Sequence, residues 1–309
     1  MTQSQSLTVF NPRPRSSMPQ TPTQLELPAD TITLRTYREL DVYLGKFAAR
    51  ELDLVLLLGR PGIGKTESVK RSLGISSAAG SAKGAGTSEA LYVEGHARPY
   101  GLYRELFQCR NQPVILDDLD RLYADADCIR LLKPLCSGAS TKRISWLTNT
   151  TATSPDTPPA FVTTSTVLLI ANEWRSLNSN VRALEDRAII LHFSPSNLDV
   201  HRKVGEWFKE EEVYQFVGSY LPHIPAVSMR HYEKGRRLRR AGVEDWRAAL
   251  LQMLLPAEEM AVVAALQCDH CLRTDQERVQ RFTAVTGRSR PTYYRLKRRL
   301  FPATPRAES

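Results

Sequence analysis

LVLLLGRPGIGKTESV, residues 54–69, decides how the rest of the chain is read. Its first five residues, Leu54 to Leu58, are all apolar, too few for a helix and without alternation. A run of that kind is a strand buried on both faces of a sheet. GRPGIGKT (59–66) follows and fits the spacing G-x-x-x-x-G-K-[ST], and TESVKRSLG then continues with helical character. In this order the elements predict a phosphate-binding loop made of Gly59, Arg60, Pro61, Gly62, Ile63, Gly64, Lys65 and Thr66. Glycine is needed because backbone N–H groups must wrap the phosphates with no Cβ in the way. Lys65 brings a positive charge to the terminal phosphates, and the Thr66 hydroxyl binds Mg2+.

Four further apolar runs are separated by helical or loop segments: ALYVEG (90–95), PVILDD (113–118), STVLLIAN (165–172) and AIILHF (188–193). With 54–59 they predict an α/β fold around a five-stranded parallel sheet. PVILDD puts Asp117 at the carboxyl end of a buried strand, where ligands gather in such sheets. There it can hold Mg2+, while Asp118 points to where an attacking water would sit. An acidic pair after a strand is also a helix cap, but the glycine loop upstream selects the nucleotide reading. Residues 1–28, rich in Gln, Pro, Ser and Thr, read as a disordered arm. Two polar stretches interrupt the pattern, at 74–90 and 137–164. The second carries a short strand candidate, RISWLT, and its Lys142, Arg143 and Trp146 could touch DNA or a partner. Beyond Ser194 the strand signals stop, and helical patterns cover 197–208, 210–220, 227–240 and 243–255. The expected organisation is therefore an arm (1–28), a nucleotide-binding core (29–194), a helical lid (195–255) and a small all-α segment (256–309).

Composition sets bounds on partners. The 309 residues are 42% hydrophobic and 24% charged, ordinary for a protein with a buried core. The absence of a long apolar run leads us to expect a soluble cytoplasmic protein with no membrane partner. Five cysteines fit a reducing compartment better than a disulfide framework. CDHC (268–271) has metal or redox spacing but no second ligand pair nearby, so it reads as a connector between helices. Net charge is +9, and the last 42 residues hold ten Arg or Lys against four Asp or Glu. A basic end of that kind points to a polyanion, most often nucleic acid.

The two motifs together resemble those of the AAA+ ATPases, over roughly residues 30–255. That resemblance implies ATP and Mg2+ as cofactors, ATP hydrolysis, and a homo-oligomer, either ring or filament. It also implies roles for three later residues. Asn172, at the end of STVLLIAN, matches the polar residue that orients the attacking water. Arg187, in VRALEDRAIILHF, matches the arginine finger that reaches a neighbouring subunit's site, although Arg182 lies close by. Arg230, in SMRHYEKGRRL, matches a second sensor in the lid, in a helix crowded with other arginines. The pair Asp117-Asp118 departs from the commoner Asp-Glu. It is similar to the pair in bacterial helicase loaders and in the ATPase helpers of insertion sequences.

GRSRPTYYRLKRRLF (287–301) carries six Arg or Lys in fifteen residues. Helical patterns at 256–267, 274–287 and 289–300 surround it, with Thr274 and Glu277 as a capping box and Gly287 as a turn. VTGRSRPTYYRLKRRL resembles the second half of the helix-turn-helix of resolvase and invertase tails. That likeness assigns Ser289, Arg290 and Thr292 to base or nearby phosphate contact, and Arg295, Lys297, Arg298 and Arg299 to phosphates. A solvated basic helix packed on the lid is the competing reading. The expected function is an ATPase assembling on DNA for replication initiation, helicase loading or transposition of a phage or mobile element. A replicative helicase or a transposase is the protein partner in that case. The alternatives are an ATP-responsive transcription regulator and a remodeller of protein complexes recruited to DNA.

Overall fold

The computed structural model describes residues 27–75, 90–94, 98–117, 126–146, 157–172 and 187–302. Within them a parallel sheet has the strand order β1-β8-β2-β7-β4-β3, where β1 is Ile32–Leu34, β2 Leu54–Leu58, β3 Leu91–Glu94, β4 Val114–Asp117, β7 Val167–Ala171 and β8 Ile189–Phe193. Every pair in it is parallel. The sheet has six strands rather than the five expected. The extra one, β1, spans three residues and pairs with β8, too short to leave a periodic signal of its own. The chain then turns at Thr36, whose side chain accepts from the Glu39 amide while Glu39 reciprocates. That capping box starts α1, Tyr37–Ala48, three residues later than the apolar spacing from Leu34 suggests.

All five residues of β2 and of β7 are buried. Because side chains alternate across a strand, this needs cover on both faces. On one face Val55, Leu57, Ile170 and Leu191 join a core with α1 and α2 (Lys65–Ser72). On the other, Leu54, Leu56, Leu58, Leu169 and Ile190 pack with α3 (Pro99–Gln108) and α4 (Ala126–Leu135). Each such Leu or Ile contributes about 1.5–3 kcal/mol of burial, offset by the entropy of ordering the chain. A second, antiparallel sheet of β5 (Lys142–Ser145) and β6 (Ala160–Thr163) sits on the latter face. Lys142 is buried there and its Nζ donates to the Ser165 carbonyl at 2.5 Å. The Lys142 ammonium is therefore committed inside the fold and is not available to a polyanion.

After β8 the chain is helical: α5 (Asn197–Gly205), α6 (Glu211–Ser219), a 3-10 turn at Leu221–His223, α7 (Met229–Arg240) and α8 (Trp246–Leu254). These pack on the α1 side of the sheet through Val200, Val204, Val213, Val217 and Tyr232. Then come α9 (Glu258–Cys268), α10 (Asp275–Thr286) and α11 (Arg290–Leu300). Phe282 of α10 and Tyr293 of α11 are fully buried and meet at 5.5 Å between ring centroids. The same apolar core continues through α8 and α9 into this end of the chain. His223 Nε2 contacts the Leu300 carbonyl at 3.1 Å and Tyr220 meets Phe301 edge-on, so the last helix is also tied to the 3-10 turn. No helix among the described residues is long and apolar enough to cross a membrane.

Candidate nucleotide site and basic tail

The carboxyl ends of β2, β7, β4 and β3 lie side by side, with Leu58 beside Ala171, Ile170 beside Asp117, and Asp117 beside Glu94. Over them opens a cavity of about 510 Å³, lined among others by Gly62, Gly64, Lys65, Thr66, Asp117, Asn172 and Arg230. That volume falls within the usual range of cofactor sites, about 300–1,000 Å³. The loop reaches it because Gly62 and Gly64 hold φ of +77° and +82°, a region open to glycine at little cost. Gly64 is the cap of α2, so the N–H groups of that helix's first turn face the cavity with the positive end of its dipole.

Lys65 is buried at this helix start, and its Nζ donates to the Gly59 carbonyl at 2.5 Å, the Arg60 carbonyl at 3.0 Å and Asn172 Oδ1 at 3.1 Å. Burial pushes its pKa down to about 8. Asp117 opposes the shift and Arg230 adds to it. A cation held so far from water is stabilised by any anion that enters. Beside it Thr66 Oγ1 donates to Asp117 Oδ2 at 2.7 Å. These two oxygens are hard donors of the kind Mg2+ takes. The polar set thus fits a phosphate chain with its divalent cation.

The remaining loop residues act from behind. Ile63 is in the core and its carbonyl accepts from Tyr37 OH at 2.8 Å. The Arg60 guanidinium reaches Asn197 Oδ1 of α5 at 3.4 Å, and Pro61 lines the cavity mouth. Arg187 is exposed at the start of β8, beside Gly138, and does not line this cavity. Asp118 and Arg182 lie outside the described residues.

Two groups of contacts are not visible in the motifs. Tyr92, on edge strand β3, donates its hydroxyl to Asp117 Oδ2 at 2.7 Å, and Lys70 Nζ lies 4.2 Å from the centre of its ring. Their only sequence signal is the two-residue spacing to Glu94, which also lines the cavity. The lid meets the glycine loop directly. The Met229 amide donates to the Gly62 carbonyl at 2.8 Å, and Ser228 Oγ lies 3.4 Å from the same oxygen. Ser228 caps α7 in a box with His231, whose Nδ1 accepts from the Ser228 amide at 3.3 Å. Burial, then Lys234 and Arg60, hold the His231 pKa below the ordinary histidine value, which keeps that acceptor neutral. This cap sets Arg230 at the cavity wall.

A scan against protein-family models and a search of curated proteins return no match. Among solved structures, a point mutant of RuvB from Thermotoga maritima is 14% identical, covering 81% of this chain and 80% of its own, with a TM-score of 0.43. NtrX from Brucella abortus in complex with ATP is 10% identical, covering 89% of this chain and 70% of its own, with a TM-score of 0.44. Both likenesses are distant in sequence and in superposition.

The tail gathers the second candidate set. Thr274 and Glu277 form a capping box on α10, Gly287 closes it at φ +66°, and Ser289 with Pro291 starts α11. Tyr293 and Leu300 are buried, and Ser289, Arg290, Arg295, Arg298 and Arg299 are exposed, Arg295 and Arg299 beside Glu259 and Met260 of α9. Thr292 is half-buried, its hydroxyl 3.2 Å from Ser289 Oγ. The Arg290 guanidinium lies 5.6 Å from the Tyr294 ring centre. Lys297 stands apart, since its Nζ pairs with Asp275 at 2.6 Å and fastens α11 to α10. Arg288 likewise pairs with Glu259 at 2.9 Å.

Proposed function

We propose that the chain is an ATP-binding, Mg2+-dependent ATPase of AAA+ type that assembles on DNA. The observation that carries this reading is the convergence of Lys65, Thr66, Asp117 and Asn172 around a glycine loop at the carboxyl edge of the sheet. In it the loop amides and Lys65 bind the phosphates, and Thr66 with Asp117 holds Mg2+. When bound, ATP with its cation supplies the labile phosphoanhydride bond and the charge that developing negative oxygens need. Asn172 orients the attacking water and Asp118 draws its proton. Arg230 senses the terminal phosphate from the lid, and Arg187 completes a neighbouring subunit's site in a homo-oligomeric ring or filament.

The tail acts as a helix-turn-helix. Ser289, Arg290 and Thr292 meet base edges or adjacent phosphates, and Arg295, Arg298 and Arg299 hold the backbone. Support comes from the exposure of Arg290, Arg295, Arg298 and Arg299 on a helix whose Tyr293 and Leu300 are buried. We assign the protein to the cytoplasm, serving replication initiation, helicase loading or transposition of a phage or mobile element, with a replicative helicase or transposase as partner. Equilibrium binding of ATP to the whole chain and to Lys65→Ala tests the nucleotide half. Binding that is lost in the variant supports it, and equal binding refutes it. Fluorescence titration of duplex DNA with wild type and the Arg295/Arg298/Arg299→Ala variant tests the other half, and equal affinity refutes that.

A further inference from the structure

Asp117 Oδ2 accepts two hydroxyl protons at once, from Thr66 Oγ1 at 2.7 Å and from Tyr92 OH at 2.7 Å. Tyr92 reaches it from the edge strand β3, across the β3–β4 register in which Tyr92 stands beside Ile115 and Glu94 beside Asp117. The phenol is locked in place. Lys70 Nζ lies 4.2 Å over its ring and 3.7 Å from Glu94, one helical turn beyond Thr66.

We infer that Tyr92 is a positioning residue for the metal carboxylate: its hydroxyl fixes the rotation of Asp117 so that the carboxylate meets Mg2+ in one geometry. The inference rests on the reading of this cavity as a Mg-nucleotide site. Carboxylates that bind metals are commonly steered by such outer partners, whose loss costs about 10–100-fold in metal affinity or activity. Tyr92 touches neither phosphate nor metal in this account. Its effect passes through Asp117 alone, and nucleotide affinity without the cation should not depend on it.

The test measures the affinity of the full chain for a fluorescent ADP analogue, with Mg2+ and with a chelator, in wild type, Tyr92→Phe and Leu91→Ala. Tyr92→Phe keeps the ring under Lys70 and removes only the hydroxyl. Leu91→Ala loosens the same strand from its opposite side, where Leu91 packs among the α3 and α4 residues. The expected result is a fall of about tenfold or more in the Mg2+ enhancement for Tyr92→Phe, with chelator affinity unchanged and Leu91→Ala like wild type. ATP turnover at a fixed Mg2+ concentration should then show a raised KM for ATP, as the weakened Mg2+-dependent binding requires. An undiminished Mg2+ enhancement in Tyr92→Phe overturns the inference, and so does an equal loss in Leu91→Ala, which would assign the effect to strand packing. A wild-type chain that binds no nucleotide in either condition overturns the underlying reading of the cavity instead.

Discussion

Nucleotide affinity should fall steeply as pH rises past 8, because the cation that meets the phosphates is held in a site that resists charge. Lys65 is pushed down to about 8 by burial in the unliganded chain. A bound phosphate raises that pKa again, since an adjacent anion favours the charged form. Binding and protonation are therefore linked. Near pH 7 about nine-tenths of the free protein already carries the Lys65 proton, and near pH 9 only about one-tenth does, so the dissociation constant should rise roughly tenfold between them. At pH 8 the uptake should be about half a proton per nucleotide bound. Phosphate groups have a second pKa near 6, so the ligand's own charge is nearly constant across this window. Isothermal titration calorimetry of ADP binding, repeated in buffers of different ionisation enthalpy, measures affinity and proton uptake together. Lys65→Arg should bind more weakly but with a flat profile, because a guanidinium does not titrate here. A wild-type affinity that is level from pH 7 to 9, with no proton uptake, would refute the assignment of Lys65 as the phosphate cation.

Three other perturbations follow from the same contacts. Without nucleotide, the unfolded state binds more protons than the native one between about pH 8 and Lys65's ordinary value, so stability should rise with pH through that window. The gain is on the order of 3 kcal/mol at most, and chemical denaturation at pH 7.5 and 9.5 should show it in wild type and not in Lys65→Met. At Gly62, a Cβ would lie 2.0 Å from Ser228 Oγ in a backbone region that costs other residues about 1–2 kcal/mol. Gly62→Ala should accordingly lower both Tm and nucleotide affinity, with Ser228→Gly restoring part of the loss in the double variant, a coupling that additive effects would rule out. For the tail, replacing Arg295, Arg298 and Arg299 with Ala should reduce the slope of log affinity for duplex DNA against log salt by about 2–3. Lys297→Ala should instead lower thermal stability by removing the ion pair that ties α11 to α10, and an equal salt-slope effect there would contradict its internal role.

The parts of this fold that were legible in the amino-acid sequence are those where several neighbouring residues obey one period. LVLLL and STVLLIAN announce doubly buried strands, and the capped helices from Ser196 onward keep their apolar spacing for two to three turns. β1 was not legible because it spans three residues, of which Leu34 alone is buried. Within the polar stretch RISWLT marked β5, but its partner β6 gave no signal of its own, and Lys142 turns its ammonium inward to the Ser165 carbonyl against the usual preference of lysine for water. In the cavity, GRPGIGKT and PVILDD declare themselves by local spacing. Tyr92, Ser228 and Met229 enter from β3 and α7, and only cross-strand register or lid docking reveals them. Charge counting along α11 likewise could not tell Lys297, tied to Asp275, from Arg298, which faces solvent.

The central claim, that one chain joins an ATP-hydrolysing site to a DNA-binding tail, is tested most directly by steady-state ATP turnover with and without duplex or single-stranded DNA, with particle size followed by sedimentation. The expected result is Mg2+-dependent turnover that DNA stimulates, with assembly on ATP, all abolished by Lys65→Ala. Turnover that DNA leaves unchanged, together with a particle size that ATP and DNA leave unchanged, would contradict it.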